Sequence, residues 1–159
     1  MNVRRKDPRH RAREAALQIL YQWDVGRGDV DRAADTYFSQ QWPDVDPPAD
    51  DLRSFASLLA HDTVERLDAI DPLIADTANR WRPERMAVLD RLILRMSVCE
   101  LLRDRGTPAA VVINEALELA RTFSTEESVR FINGMLDAIR KKLEARATTG
   151  DAEDAEEES

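Results

Sequence analysis

The amino-acid sequence predicts an all-α fold on two observations. Apolar residues recur at helical spacing along most of seven segments, and most of these open on a recognisable start signal. Period-2 alternation, the pattern of a half-buried strand, is not found, and the chain carries no internal repeat.

Asp7-Pro8 opens the first helix, because an Asp side chain can cap free N–H groups and Pro suits the first helical position. Ala12, Ala16, Ile19, Leu20 and Trp23 form its buried stripe, and Gly26 and Gly28 end it. Asp29 caps a second helix that carries Val30, Ala33, Ala34, Tyr37 and Phe38. Pro43, Pro47 and Pro48 mark the longest irregular stretch. Asp50 or Asp51 begins a third helix, with Leu52, Phe55, Ala56, Leu59, Val64 and Leu67 on its apolar side. Asp71-Pro72 repeats the Asp-Pro signal and predicts a short fourth helix ending near Asn79.

Pro83 opens the fifth helix, with Met86, Leu89, Ile93 and Met96 on one face and Val88, Leu92 and Cys99 beside it. So wide an apolar surface suits a central helix, which Gly106 stops. Thr107-Pro108 then offers a cap and a first-turn proline to a sixth helix bearing Ile113, Ala116, Leu117 and Ala120. Ser124 and Glu127 have the spacing of a capping box before the seventh. That helix buries Ile132, Met135, Leu136, Ile139 and Leu143, and Phe131 falls about 40° past the stripe edge. Asn133-Gly134 has the composition of a hairpin turn but lacks flanking alternation, so Gly134 reads as a helical residue that leaves space beside Phe131.

A chain of 159 residues is expected to form one domain. Its 43% hydrophobic content is that of a soluble globular protein, and no apolar run approaches the roughly 20 residues that span a bilayer. The N-terminus lacks an apolar signal region, Cys99 is the only cysteine, and His10 and His61 lie far apart. A secretory signal, an internal disulfide and a zinc site are therefore not expected, and the setting reads as cytoplasmic. Net charge is −8, unevenly spread: residues 1–13 carry +5 and residues 151–159 carry −6, leaving −7 for the body. We read a flexible basic arm over 1–8, a helical domain over 9–146 and a disordered acidic tail over 147–159.

The chain has no Gly-rich phosphate loop, no nucleophile with a nearby His and no metal-ligand cluster, so neither catalysis nor a cofactor is expected. Binding residues are better represented. Arg4, Arg5, Arg9, Arg11 and Arg13 form either an RNA-binding arm or a solvated terminus. Phe131 is a core residue or an exposed ring for stacking, with Arg130 beside it. Glu84, Asp90 and Arg91, near the fifth helix start, are dipole stabilisers or partner contacts. Glu100 falls on the buried face, where a carboxylate needs hydrogen bonds or a cation. Asn114 and Glu115 are expected to tie the loop after Gly106 to the helices. The acidic tail is a solvating extension or a competitor for the arm.

Three ordered blocks carry a family resemblance. RHRAREAALQILYQWD, then VLDRLILRMSVCELL with a short loop and TP, then NEALELARTF followed by RFINGMLD resemble the NusB family of bacterial transcription antitermination factors. The likeness spans roughly residues 9–140. It implies seven helices in two packed bundles and no enzyme activity. It also implies RNA contacts from the arginine-rich start and from Phe131, at a boxA-like single-stranded element in ribosomal RNA leaders and spacers. The ribosomal protein NusE is the implied partner, facing Tyr21, Glu84, Asp90 and Arg91, and the assembly would help RNA polymerase resist termination. An acidic body suits such a basic partner.

Two other readings compete. A helix-turn-helix regulator should expose basic and amide side chains on its recognition helix, whereas the sixth helix is expected to expose Glu115 and Glu118. Some ribosomal-RNA cytosine methyltransferases carry a NusB-like domain, but these 159 residues hold no cofactor-binding fold.

Overall fold

Helix α5 (Val88–Arg103) is apolar nearly all round, and the other helices are arranged by the need to cover it. Leu92, Ile93, Leu94, Met96, Val98 and Cys99 are all buried, and α5 packs against α1, α3, α4, α6 and α7. The computed structural model describes residues 7–78, 86–103 and 106–157, with side chains through Thr148, and places no strand among them. Its elements are α1 (Pro8–Gly26), α2 (Val30–Thr36), a π-helical turn (Tyr37–Gln41), α3 (Asp50–Glu65), α4 (Leu67–Thr77), α5, α6 (Ala109–Phe123) and α7 (Glu126–Glu157). Two packed bundles result, α1–α3 on one side and α4, α6 and α7 on the other, joined through α5. No helix among the described residues is long and apolar enough to cross a membrane.

Local chemistry explains the helix ends. The Asp7 carboxylate accepts from the Arg9 N–H at 3.1 Å with Pro8 in the first turn, and Asp29 accepts from the Asp31 N–H at 2.8 Å. At the C-terminus of α1, Arg27 rather than a glycine takes the left-handed position (φ 54°), and its N–H reaches the Trp23 carbonyl. Gly26 is the last helical residue.

Four boundaries differ from the sequence-based expectations. The Asp71-Pro72 pair does not start α4, which begins at Leu67 after a break at Arg66 and encloses Pro72. Asp71 instead holds Arg95 of α5 through two hydrogen bonds of 2.9 Å. Burial of Ile70, Leu73 and Ile74 offsets the amide hydrogen bond that Pro72 cannot donate. Helix α5 begins after Met86, while Pro83, Glu84 and the predicted end at Asn79 lie outside the described residues. At α6, Pro108 itself occupies the cap position with no side-chain cap bond, and the buried stripe is Val112, Ala116, Leu119 and Ala120. Ile113 and Leu117 flank that stripe.

The fourth difference is at α7. Ser124 is extended, and Thr125 caps the helix, its hydroxyl oxygen accepting from the Ser128 N–H at 3.1 Å. The cap is thus one residue later than the Ser124–Glu127 box. Ile132, Met135, Leu136 and Ile139 are buried as expected, with Leu143 packed on the core. The backbone stays helical through Glu157, across the segment whose composition suggests a disordered tail. Ala and Glu propagate a helix readily once a packed segment has nucleated it.

Cys99 tests how tightly α5 is enclosed. Burial pushes its thiol above the ordinary range, beyond what the Thr63 hydroxyl and Arg103 restore. We predict that a thiol reagent at neutral pH modifies native protein only at the rate of unfolding, whereas urea-unfolded chains react at once. Fast labelling of the native chain would show that α5 opens locally.

Candidate nucleic-acid interface

The first turns of α1 gather arginines of opposite fates. Arg13 is buried, and its Nε and Nη2 donate to the two Glu100 carboxylate oxygens at 2.9 and 2.8 Å. Burial by itself would lower the pKa of Arg13, but the hydrogen bond and charge of Glu100 outweigh it and hold the guanidinium above its ordinary value. The expected RNA contact at Arg13 is therefore corrected. Glu100 faces the core, and its charge had to be matched from α1. His10 adds a second tie, with Nδ1 2.6 Å from Glu115 of α6 and Nε2 3.1 Å from Glu14. Glu115 thus joins α6 to α1 instead of anchoring the loop after Gly106, and of the two acids expected to be exposed on α6 only Glu118 is.

Arg9 and Arg11 face outward. The Arg9 guanidinium lies over the Phe55 ring of α3, 4.2 Å from its centroid, leaving N–H edges for an anion. Arg11 lies over Trp42 at 5.0 Å and pairs with Asp44, both in the chain between the π-helical turn and α3. A third pair, Arg53 over Phe38 at 5.4 Å, continues the pattern on α3. Sequence reasoning missed these aromatic platforms. Phe55 reads from the sequence as part of the apolar side of the third helix, and nothing local tells which arginine it meets. Arg4 and Arg5 lie outside the described residues.

Phe131 and Arg130 lie on α7, and both are exposed, the ring at 41%. A Cβ built on Gly134 would meet nothing within 4 Å, so the surface one turn beyond Phe131 is open. Asp90 fixes where this helix begins. Its carboxylate accepts from the hydroxyls of Ser124 at 2.5 Å and Ser128 at 2.6 Å, and Thr125 donates to the Ser128 oxygen at 3.0 Å. Asp90 is only 8% exposed, which corrects its expected role as an exposed partner contact. At this depth a carboxylate requires donors, and the α7 start supplies them.

On the proposed partner side, Tyr21 is 45% exposed on α1, and Val25 one turn on is exposed as well. Arg91 is largely covered and donates to Asp24 at 3.0 Å, tying α5 to α1. Glu84 lies outside the described residues.

The sequence model of the NusB family matches residues 10–141. The chain belongs to the NusB family. It is 48% identical to the transcription antitermination protein NusB of Solibacter usitatus, across 85% of this chain and 90% of that protein. The Koribacter versatilis protein of the same name is 44% identical over 86% of this chain and 91% of its own length. Among solved structures, T. maritima NusB superposes with a TM-score of 0.75 at 32% identity, covering 86% of this chain and 92% of that one. A NusB crystallised with NusE and double-stranded RNA shares the fold at a TM-score of 0.70, with 24% identity.

The two classes of arginine separate by measurement. We predict that Arg13→Ala costs about 3–5 kcal/mol in urea melts, because Glu100 is left buried and unpaired. Arg9→Ala, at an exposed site, should cost no more than about 0.5–1 kcal/mol. Equal losses would mean that Arg13 is not held as described.

Proposed function

We propose that this chain is a transcription antitermination protein that binds RNA together with NusE and helps RNA polymerase resist termination. The observation that carries the reading is the exposure of arginines and of one ring on an otherwise acidic molecule: Arg9, held over the half-buried Phe55, and Arg130 next in sequence to the exposed Phe131. Arginine edges suit phosphate, and an exposed ring suits an unstacked base. Family membership supplies the biological setting. NusE is the named companion of the NusB crystallised with RNA, and the curated relatives are antitermination proteins.

In finer detail, Arg4, Arg5, Arg9, Arg11, Arg130 and Phe131 contact a boxA-like single-stranded element of ribosomal RNA leaders and spacers. Tyr21 and Glu84 belong to the NusE surface, with Val25 extending the apolar patch around Tyr21. Arg91 and its Asp24 partner brace the helix that presents Tyr21. The role is assembly rather than chemistry, in the cytoplasm. Each partner raises the effective concentration of the other at the RNA, so the ternary complex outbinds either protein alone.

Titrations with boxA-like single-stranded RNA, duplex RNA and duplex DNA, each with and without NusE, test this reading. Single-stranded RNA with NusE should bind tightest; preference for duplex DNA would favour a helix-turn-helix regulator instead. Phe131→Ala should weaken RNA binding by roughly 1–3 kcal/mol. The same substitution should cost about 1 kcal/mol of stability or less, well short of the roughly 3–5 kcal/mol of a core phenylalanine. Replacing Arg9 and Arg11 with Ala should make the slope of log affinity against log salt shallower by about 1.4, or about 0.7 per phosphate. An unchanged slope would place the phosphate track elsewhere.

A further inference from the structure

Arg11 differs from Arg9 in one respect: a carboxylate of the same chain already occupies it. Its guanidinium lies over Trp42, and its Nη2 donates to the Asp44 side chain, two residues after that ring. Trp42 is itself fixed, because its indole N–H donates to the Asp46 carbonyl at 2.9 Å and its ring packs edge-on to Tyr37 and at a tilt to Phe38. The short turn from Trp42 to Asp46 thus presents one ring under Arg11 and one carboxylate against its N–H edge.

We propose that Asp44 is an intramolecular competitor for RNA phosphate at Arg11, and that Trp42 holds the guanidinium in place for the exchange. A carboxylate and a phosphate oxygen offer the same acceptor chemistry to a guanidinium fork, so they compete for the same N–H groups. The pair is displaceable. Its side chains are 33% and 43% exposed, and solvated ion pairs of this kind are the weakest class. The buried Arg13–Glu100 pair nearby, at 4% and 2%, has no such freedom. Stacking on Trp42 needs no carboxylate, so Arg11 keeps its position when Asp44 leaves. The turn from Trp42 to Asp46 therefore sets the RNA affinity of the arginine site: each binding event must first break this contact.

The inference rests on the RNA-binding reading above, and the test separates the two. Affinity for a short boxA-like single-stranded RNA in the presence of NusE is measured for Asp44→Asn, Asp46→Asn, Arg11→Ala, the Arg11→Ala/Asp44→Asn double variant and Arg9→Ala. Asp44→Asn should bind RNA about two- to five-fold tighter, the range an exposed ion pair spans. The gain should vanish in the Arg11→Ala background. Asp46→Asn removes the same charge two residues away and should gain less. An equal gain from Asp46→Asn, or a gain that survives Arg11→Ala, would replace the competitor with general charge repulsion. No gain at all overturns the proposal, provided that Arg9→Ala weakens binding. If Arg9→Ala leaves binding unchanged as well, the RNA site assigned to this end of α1 falls with it.

Discussion

The buried pair of Arg13 and Glu100 is the constraint on which the functional surface depends. Two charges this deep are stable only when matched, so α1 must lie on α5 in one rotational setting. At 100° per residue that setting decides where the neighbouring arginines point. Arg9, one turn earlier, lies about 40° from Arg13, and both guanidinium groups sit over Phe55, at 4.2 and 5.3 Å. Arg11, about 160° round, points away toward the turn between the π-helical segment and α3. One ion pair thus divides a run of similar residues into an internal strut and an external binding edge. His10 and Glu115 repeat the device against α6.

A second buried acid acts in the same way at the other end of the surface. Asp90 collects two hydroxyls from the joint of α6 and α7, and the register this sets carries Phe131 outward while Ile132 enters the core. Both anchors lie on α5. The central helix therefore contributes no exposed contact of its own among these residues, yet it orients the two helices that do. The negative charge of the body is compatible with RNA binding for the same reason: several of its acids are spent on arginines and hydroxyls.

The helix inventory was legible because it depends on local rules. The Asp7 and Asp29 caps and most of the apolar stripes follow from spacing along one chain, whereas spacing left Phe131 between core and surface and the packing of α7 turns it outward. What was not legible is settled between elements. Asp71-Pro72 has the form of a helix start, but Asp71 is claimed by Arg95 on another helix. Ser124 and Glu127 have capping-box spacing, but Ser124 is claimed by Asp90. Arg13 is indistinguishable from Arg9 in composition and spacing, and only Glu100, far along the chain, separates them. The buried position of Glu100 did signal a need for hydrogen bonds or a cation, without naming Arg13 as the source. Family likeness in turn transmits contact roles by position, and it carried Asp90 outward where this chain buries it against two serines.

The most direct measurement follows the arginine side chains themselves. In the NusE complex, the Nε–Hε resonances of Arg9, Arg11 and Arg13 can be tracked as a boxA-like single-stranded RNA is added. Our account requires the Arg9 and Arg11 signals to move with RNA while Arg13 stays in place and protected from solvent exchange. A shift of the Arg13 signal comparable to that of Arg9, or loss of its protection on RNA addition, would contradict the division of the arginine cluster on which this reading stands.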